Sequence, residues 1–354
     1  MNPFNFNPED IVEEIEVFGR KFSEGMSTLA QMETPEVGVS KKTCVYEEDK
    51  LQLFRYAPRT ETQAKTPLLI VYALVNRPYM ADLQKDRSLI QGLLDSGLDI
   101  YLIDWGYPDD SDQELSLDDY INRYLNNCVE HICLEHNLEK INLLGICQGG
   151  VFSLCYSALH QNKVANLITT VTPVDFHTQN DRLSNLVRHI DIDLCIDAFG
   201  NLPGSFLNSV FLSLKPYRLL GQKYVDLVDI IDNEEKAKTF MRMEKWIFDS
   251  PDQAGETFRE FISQFYQNNG LIKGAIKIGD WVVDLQNIKI PVLNIFARDD
   301  HLVPTKSSKA LADCIGSDDY SELELAGGHI GIYVRSNKTN PLPKAIKKWV
   351  EERN

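Results

Sequence analysis

Gly145-Ile146-Cys147-Gln148-Gly149 is the stretch that decides how this chain folds. The apolar run Lys140-Ile141-Asn142-Leu143-Leu144 leads into it, and Gly150 with a helix-like segment follows. Strand, sharp turn and helix, with small residues flanking one reactive side chain, make up a nucleophile elbow. The central residue of such a turn adopts a strained backbone, and side chains two positions either side would strike the neighbouring strand and helix. Serine is the usual central residue. Cysteine at this place points toward thioester chemistry and away from simple ester hydrolysis.

Working outward, short apolar runs of buried-strand type recur at 68–74, 99–105, 140–146 and 166–172. Helix-like stretches separate them at about 82–95, 117–136 and 150–160. This alternation predicts a mostly parallel central sheet flanked by helices on both faces. It stops near Asp175 and resumes at Ile290, with a further strand at 321–325 and a last helix at 342–352. The intervening segment is rich in helix-forming and aromatic residues, among them Phe206, Trp246, Phe261 and Tyr266. The expected organisation is therefore an α/β-hydrolase core at 66–175 and 287–354. A helix-rich cap subdomain is inserted at 176–286, and residues 1–65 form an N-terminal helix and β-hairpin. The helix, at 8–33, carries Ile11, Ile15, Phe18, Phe22, Met26 and Leu29 at three- and four-residue spacing. It either packs on its own domain or docks another protein.

Two downstream segments complete the constellation. Arg298-Asp299-Asp300-His301 and Gly327-Gly328-His329 each begin just after a predicted strand. Nucleophile, acid, histidine is the chain order of α/β-hydrolase triads. Acid and histidine are 29 residues apart, room for one helix and one strand, whereas 153 residues separate Cys147 from Asp300, a gap the insertion accounts for. Cys147 must be a thiolate to attack a carbonyl. His329 can take its proton, and an aspartate can orient the imidazole. Asp300 is preferred over Asp299, and His301 reads as structural. The tetrahedral oxyanion needs backbone donors: the N–H of Gln148 and one from the loop after the first long strand, Val75 or Asn76, with Val75 preferred.

His131, Cys133 and His136 would be spread over different faces of one helix, so no metal site is expected from them. Cys155 reads as core, and Asp191, Asp193 and Asp197 as a solvated face. The chain has 354 residues, 43% of them hydrophobic, enough for a sizeable core. A net charge of −16 argues against a nucleic-acid partner. Seven cysteines, an odd number at irregular spacing, fit reduced thiols. With no secretory leader and no apolar run of about 18 residues, the expected location is the cytoplasm without a membrane span.

These segments resemble the catalytic subunit of the two-component, class III polyhydroxyalkanoate synthases. The likeness runs through Leu68 to Met80, Tyr101 to Pro108, Leu143 to Gly150 and Val171 to Phe176. It continues through Met243 to Asp252, Phe265 to Asn269, Asp300 to Pro304 and Gly327 to Val334. The resemblance implies polymerisation of (R)-3-hydroxyacyl-CoA, typically 3-hydroxybutyryl-CoA, to a polyester through a Cys147 thioester. CoA is released as part of the substrate, and no cofactor is expected. It also implies a PhaE-type second subunit, a homodimer or higher complex, and a location at the surface of polyester granules. It assigns the acid to Asp300, with a possible second part in activating the attacking hydroxyl. The alternatives are a cysteine-dependent hydrolase resembling dienelactone hydrolases, or an inactive granule-binding scaffold.

Overall fold

The computed structural model describes Val17, Gly19, Arg20, Ser23, Ser27, Glu33 and residues 35–353, apart from Asn180, Pro216, 218–221 and Asp232. The predicted helix at 8–33 therefore lies mostly outside the described residues; the five of its residues described before Glu33 are helical.

Twelve strands are present among the described residues: β1 Lys42–Glu48, β2 Leu51–Tyr56, β3 Leu68–Val71, β4 Asp82–Gln84, β5 Arg87–Ser88, β6 Ile100–Asp104, β7 Ile141–Ile146, β8 Val164–Thr170, β9 Ile276–Ile278, β10 Trp281–Val283, β11 Val292–Ala297 and β12 Tyr320–Leu325. Eight of them form one sheet in the order β1-β2-β6-β3-β7-β8-β11-β12. The hairpin β1–β2 turns at Asp49 (φ +52°) and pairs antiparallel to β6; every other pairing in the sheet is parallel. The inner strands β3, β6, β7 and β11 are buried along their whole length, as sequences rich in Leu, Ile and Val demand when both faces are covered. Burial of each such side chain contributes about 1.5–3 kcal/mol. A line of buried polar groups helps to fix the parallel register. Asn166 on β8 donates to Asn142 on β7 (2.8 Å), Thr169 on β8 donates to Asn294 on β11 (3.0 Å), and Asn294 donates to the Tyr320 hydroxyl on β12 (3.0 Å).

The predicted helix at 82–95 is corrected: helix occupies only Leu89–Asp95, and the residues before it form the small ribbon β4–β5. The cause is Asp82, buried and bonded to the Ser40 N–H (2.7 Å) and hydroxyl (2.8 Å) and the Ser88 hydroxyl (2.5 Å). Ser88 in turn caps the helix by accepting from the Gln91 N–H (2.9 Å). The helix expected at 117–136 is a π-helical turn at Asp119–Leu125 running into an α-helix at Asn126–His136.

By contacts the chain divides into two compact units. The larger holds Val37–Leu207 and Asp249–Asn354, and the smaller holds Met1–Glu36 and Asn208–Phe248. Within the smaller unit, Lys223 (2.8 Å) and the Tyr224 hydroxyl (2.9 Å) both bond Glu244, and Leu227, Ala237 and Trp246 are buried. Within the larger, Phe176, Phe261, Phe265 and Tyr266 form an aromatic cluster, with Phe261 and Phe265 stacked at 4.7 Å. Tyr266 belongs to a second π-helical stretch, Ile262–Gln267.

Candidate active site

Cys147 directly follows β7 and precedes the helix Gln148–His160. Its backbone lies at φ +55°, ψ −121°, a conformation that L-residues other than glycine rarely adopt and that marks functional turns. Its N–H donates to the Thr170 carbonyl (2.9 Å), which fastens the turn to β8. The flanking glycines are required by space. A methyl group at Gly145 would lie 2.4 Å from the Gly150 Cα, and one at Gly149 would lie 2.1 Å from the Val71 carbonyl oxygen.

The other two triad candidates are hydrogen-bonded to one another. Asp300 Oδ2 accepts from His329 Nδ1 at 2.7 Å, and Asp300 Oδ1 accepts from the N–H groups of Leu302 (2.9 Å) and Val303 (3.0 Å). Both side chains are nearly sealed from solvent, at 1% and 5% exposure, so the carboxylate is held in place and fixes the imidazole orientation. Burial on its own would lower the His329 pKa. The charges of Asp300 and Cys147, with a hydrogen bond to each, outweigh it and hold the imidazole well above its ordinary value. Asp299 is not the histidine's partner: its Oδ2 accepts from the Gly327 N–H (3.3 Å) at the start of the loop that carries His329.

Gln148 is the first residue of its helix, so its N–H has no intrahelical acceptor. Val75 lies in the loop after β3, and among the described residues no hydrogen bond engages its N–H. Asn76 beside it is at φ +60°. The loop is tied to the elbow by the Leu74 N–H, which donates to the Gln148 side chain (3.0 Å).

Sequence reasoning gave no role to two buried tyrosines, Tyr72 and Tyr333, or to the partly buried Tyr266. The hydroxyls of Tyr72 and Tyr333 lie 3.3 Å apart, and both groups, with Tyr266, have their ionisation pushed up by burial and further by the charge at Cys147. The available signals were weak: Tyr72 directly follows a buried strand, and Tyr333 stands four residues past His329. The would-be metal cluster takes up other contacts. His131 lies against the Tyr46 ring (5.3 Å between centroids), and His136 Nε2 lies 2.8 Å from the Tyr101 hydroxyl. Cys155 is fully buried, which pushes its thiol pKa up. A cavity of about 490 Å³ is lined by Gln113, Glu114, Ile196, Asp197, Gly200, Glu256 and Arg259; it contains no triad residue, and its carboxylates suit neither an acyl chain nor CoA.

Strand order, elbow and the acid–histidine pair define an α/β-hydrolase-fold protein. Residues 66–336 match the family described as alpha/beta hydrolase fold. A soluble variant of monoglyceride lipase from Saccharomyces cerevisiae, solved with a substrate analog, superposes at a TM-score of 0.56 with 12% identity, covering 92% of this chain and 98% of that one. The Paleococcus ferrophilus monoacylglycerol lipase gives 0.51 with 15% identity over 86% of this chain and 100% of its own. At such identities the likeness concerns the fold alone. Sequence likeness is much closer elsewhere. Residues 10–93 match the poly-beta-hydroxybutyrate polymerase (PhaC) N-terminus. The poly(3-hydroxyalkanoate) polymerase subunit PhaC of Allochromatium vinosum is 56% identical over the full length of both chains. Its counterpart in Synechocystis is 51% identical over 95% of this chain and 91% of its own. The chain belongs to the PhaC family of poly(3-hydroxyalkanoate) polymerases. Among the described residues no helix is long and apolar enough to cross a membrane.

Proposed function

We propose that this chain is the catalytic subunit of a class III polyhydroxyalkanoate synthase, polymerising (R)-3-hydroxyacyl-CoA, typically 3-hydroxybutyryl-CoA. The observation that carries the reading is the buried Asp300–His329 pair at 2.7 Å, in a PhaC-family chain whose elbow presents Cys147. The Cys147 thiolate attacks the thioester carbonyl, and the oxyanion is held by the N–H groups of Gln148 and Val75. The C–S bond to CoA breaks, and CoA leaves with the proton carried by His329. One thioester replaces another, so the acyl group stays activated. A hydroxyl from a second monomer or the growing chain then gives its proton to His329 and attacks the Cys147 thioester. An ester forms and the thiolate is regenerated. Asp300 holds the imidazole in register. The insertion at 176–286, with its aromatic residues, would keep water from the acyl-enzyme.

The same reading places the chain with a PhaE-type subunit, as a homodimer or higher complex, at the cytoplasmic surface of polyester granules, with no cofactor. The test is product analysis. Incubated with 3-hydroxybutyryl-CoA and the second subunit, the wild type should release CoA and yield polymer, and Cys147→Ala should give neither acyl-enzyme nor polymer. Free 3-hydroxybutyrate in place of polymer would make the chain a cysteine-dependent hydrolase and sink the proposal.

A further inference from the structure

Leu74, the residue before Val75, is gripped on both of its backbone polar groups. Its N–H donates to Gln148 Oε1 (3.0 Å), and its carbonyl accepts from Gln253 Nε2 (3.1 Å). The second contact matters because of peptide geometry. The carbonyl of Leu74 and the N–H of Val75 belong to one planar unit, which in the trans form points them in opposite directions. Fixing the carbonyl toward Gln253 therefore fixes the Val75 N–H away from it, and that N–H is left without a partner among the described residues.

Gln253 is well placed to hold a direction. It is 3% exposed, and its backbone exchanges two hydrogen bonds with Leu202 (2.9 Å each). These two positions lie where the chain departs for Asn208–Phe248 and where it comes back. The junction is closed further by the Gly204 N–H on Asp252 Oδ1 (2.8 Å). The far end of the same loop is anchored to the same return segment. The Tyr79 hydroxyl donates to Asp249 (2.9 Å), which also accepts from the Tyr107 hydroxyl of the segment after β6 (2.6 Å). The loop carrying Val75 is thus tied at both ends to residues 249–253, and to the elbow by one side chain.

We infer that Gln253 is a positioning residue for acyl transfer: by holding the Leu74 carbonyl it aims the Val75 N–H at the oxyanion. This rests on the proposed role of Val75 in the thioester mechanism. Two reactions of the same thiol separate the effect from general damage. Acylation of Cys147 by 3-hydroxybutyryl-CoA passes through an oxyanion; alkylation by iodoacetamide displaces iodide at a saturated carbon and forms none. In Gln253→Met, similar in size but without the donor, acylation followed by rapid-quench mass spectrometry should slow at least about 10-fold, approaching the loss of one oxyanion donor, while alkylation stays within about twofold. Gln253→Glu, which turns an acceptor toward the carbonyl, should show the same split and decides the matter if the Met variant fails to fold. Acylation within twofold of wild type, or acylation and alkylation falling together, would overturn the inference. The wild-type control tells the two failures apart. If Cys147 takes up no acyl group there, the thioester mechanism itself is wrong and the inference falls with it.

Discussion

Between Gly145 and Gly150 a methyl group has nowhere to go, whereas along Asn208–Phe248 whole aromatic rings stand in solvent, Tyr217 at 79% and Phe248 at 57% exposure. The elbow is fixed by backbone packed on backbone: β7, the helix after it and the end of β3 meet within contact distance. The inserted helices of the smaller unit are held by a few buried side chains and by the bonds of Lys223 and Tyr224 to Glu244. The contrast teaches where substitution is intolerable and where the sequence is free to vary.

The comparison is sharpened most by Asp300→Asn. It leaves the fold's shape but removes the charge that holds His329 above its ordinary pKa, and polymerisation should fall about 10³–10⁴-fold. The same variant carries a pH signature. His329 is a group raised in the folded state, so its contribution to stability is complete below about pH 6.5 and is lost as pH climbs through the raised value. The gap in melting temperature between wild type and variant should therefore be widest near pH 6 and narrow on the alkaline side. A gap that widens with pH would contradict the assignment.

Next comes Gly149→Ala. The added carbon would lie 2.1 Å from the Val71 carbonyl oxygen and 2.7 Å from the Tyr72 carbonyl carbon, with only backbone able to yield. A loss of about 3 kcal/mol in urea unfolding is expected, the upper range for overpacking. Tolerance of that alanine would break the comparison from the rigid side. The smallest effect is expected from Phe248→Ser, within about 0.5 kcal/mol of wild type, because little is buried there. A large loss of stability would break it from the other side.

The elbow and the alternation around it were legible because their causes are local: three glycines around a cysteine, and apolar runs of strand length. Asp300 and His329 were legible through position, each just past a predicted strand. The features that escaped are made by distant partners. Asp82 leaves the helical pattern because of Ser40, 42 residues away. The Tyr72–Tyr333 pair joins residues 261 apart, and the grip of Gln253 on Leu74 spans 179. Each residue alone reads as core or as loop. The hairpin β9–β10 was missed because three-residue strands, one carrying exposed Trp281 and Val282, give no periodic signal.

Cys147 has a neighbour in strain. Val171, the residue just past β8, sits fully buried at φ +47°, a conformation that costs a β-branched residue about 1–3 kcal/mol. Its N–H is held by the Ile295 carbonyl (2.8 Å), as that of Cys147 is held by Thr170 (2.9 Å). Two adjacent strands thus end in tension, and each is kept there by the strand next to it. The Cys147 amide is freed when the turn parts from β8, and the Val171 amide when β8 parts from β11. Their exchange therefore reports on the parting of interior strands and not on fraying at the rim of the sheet.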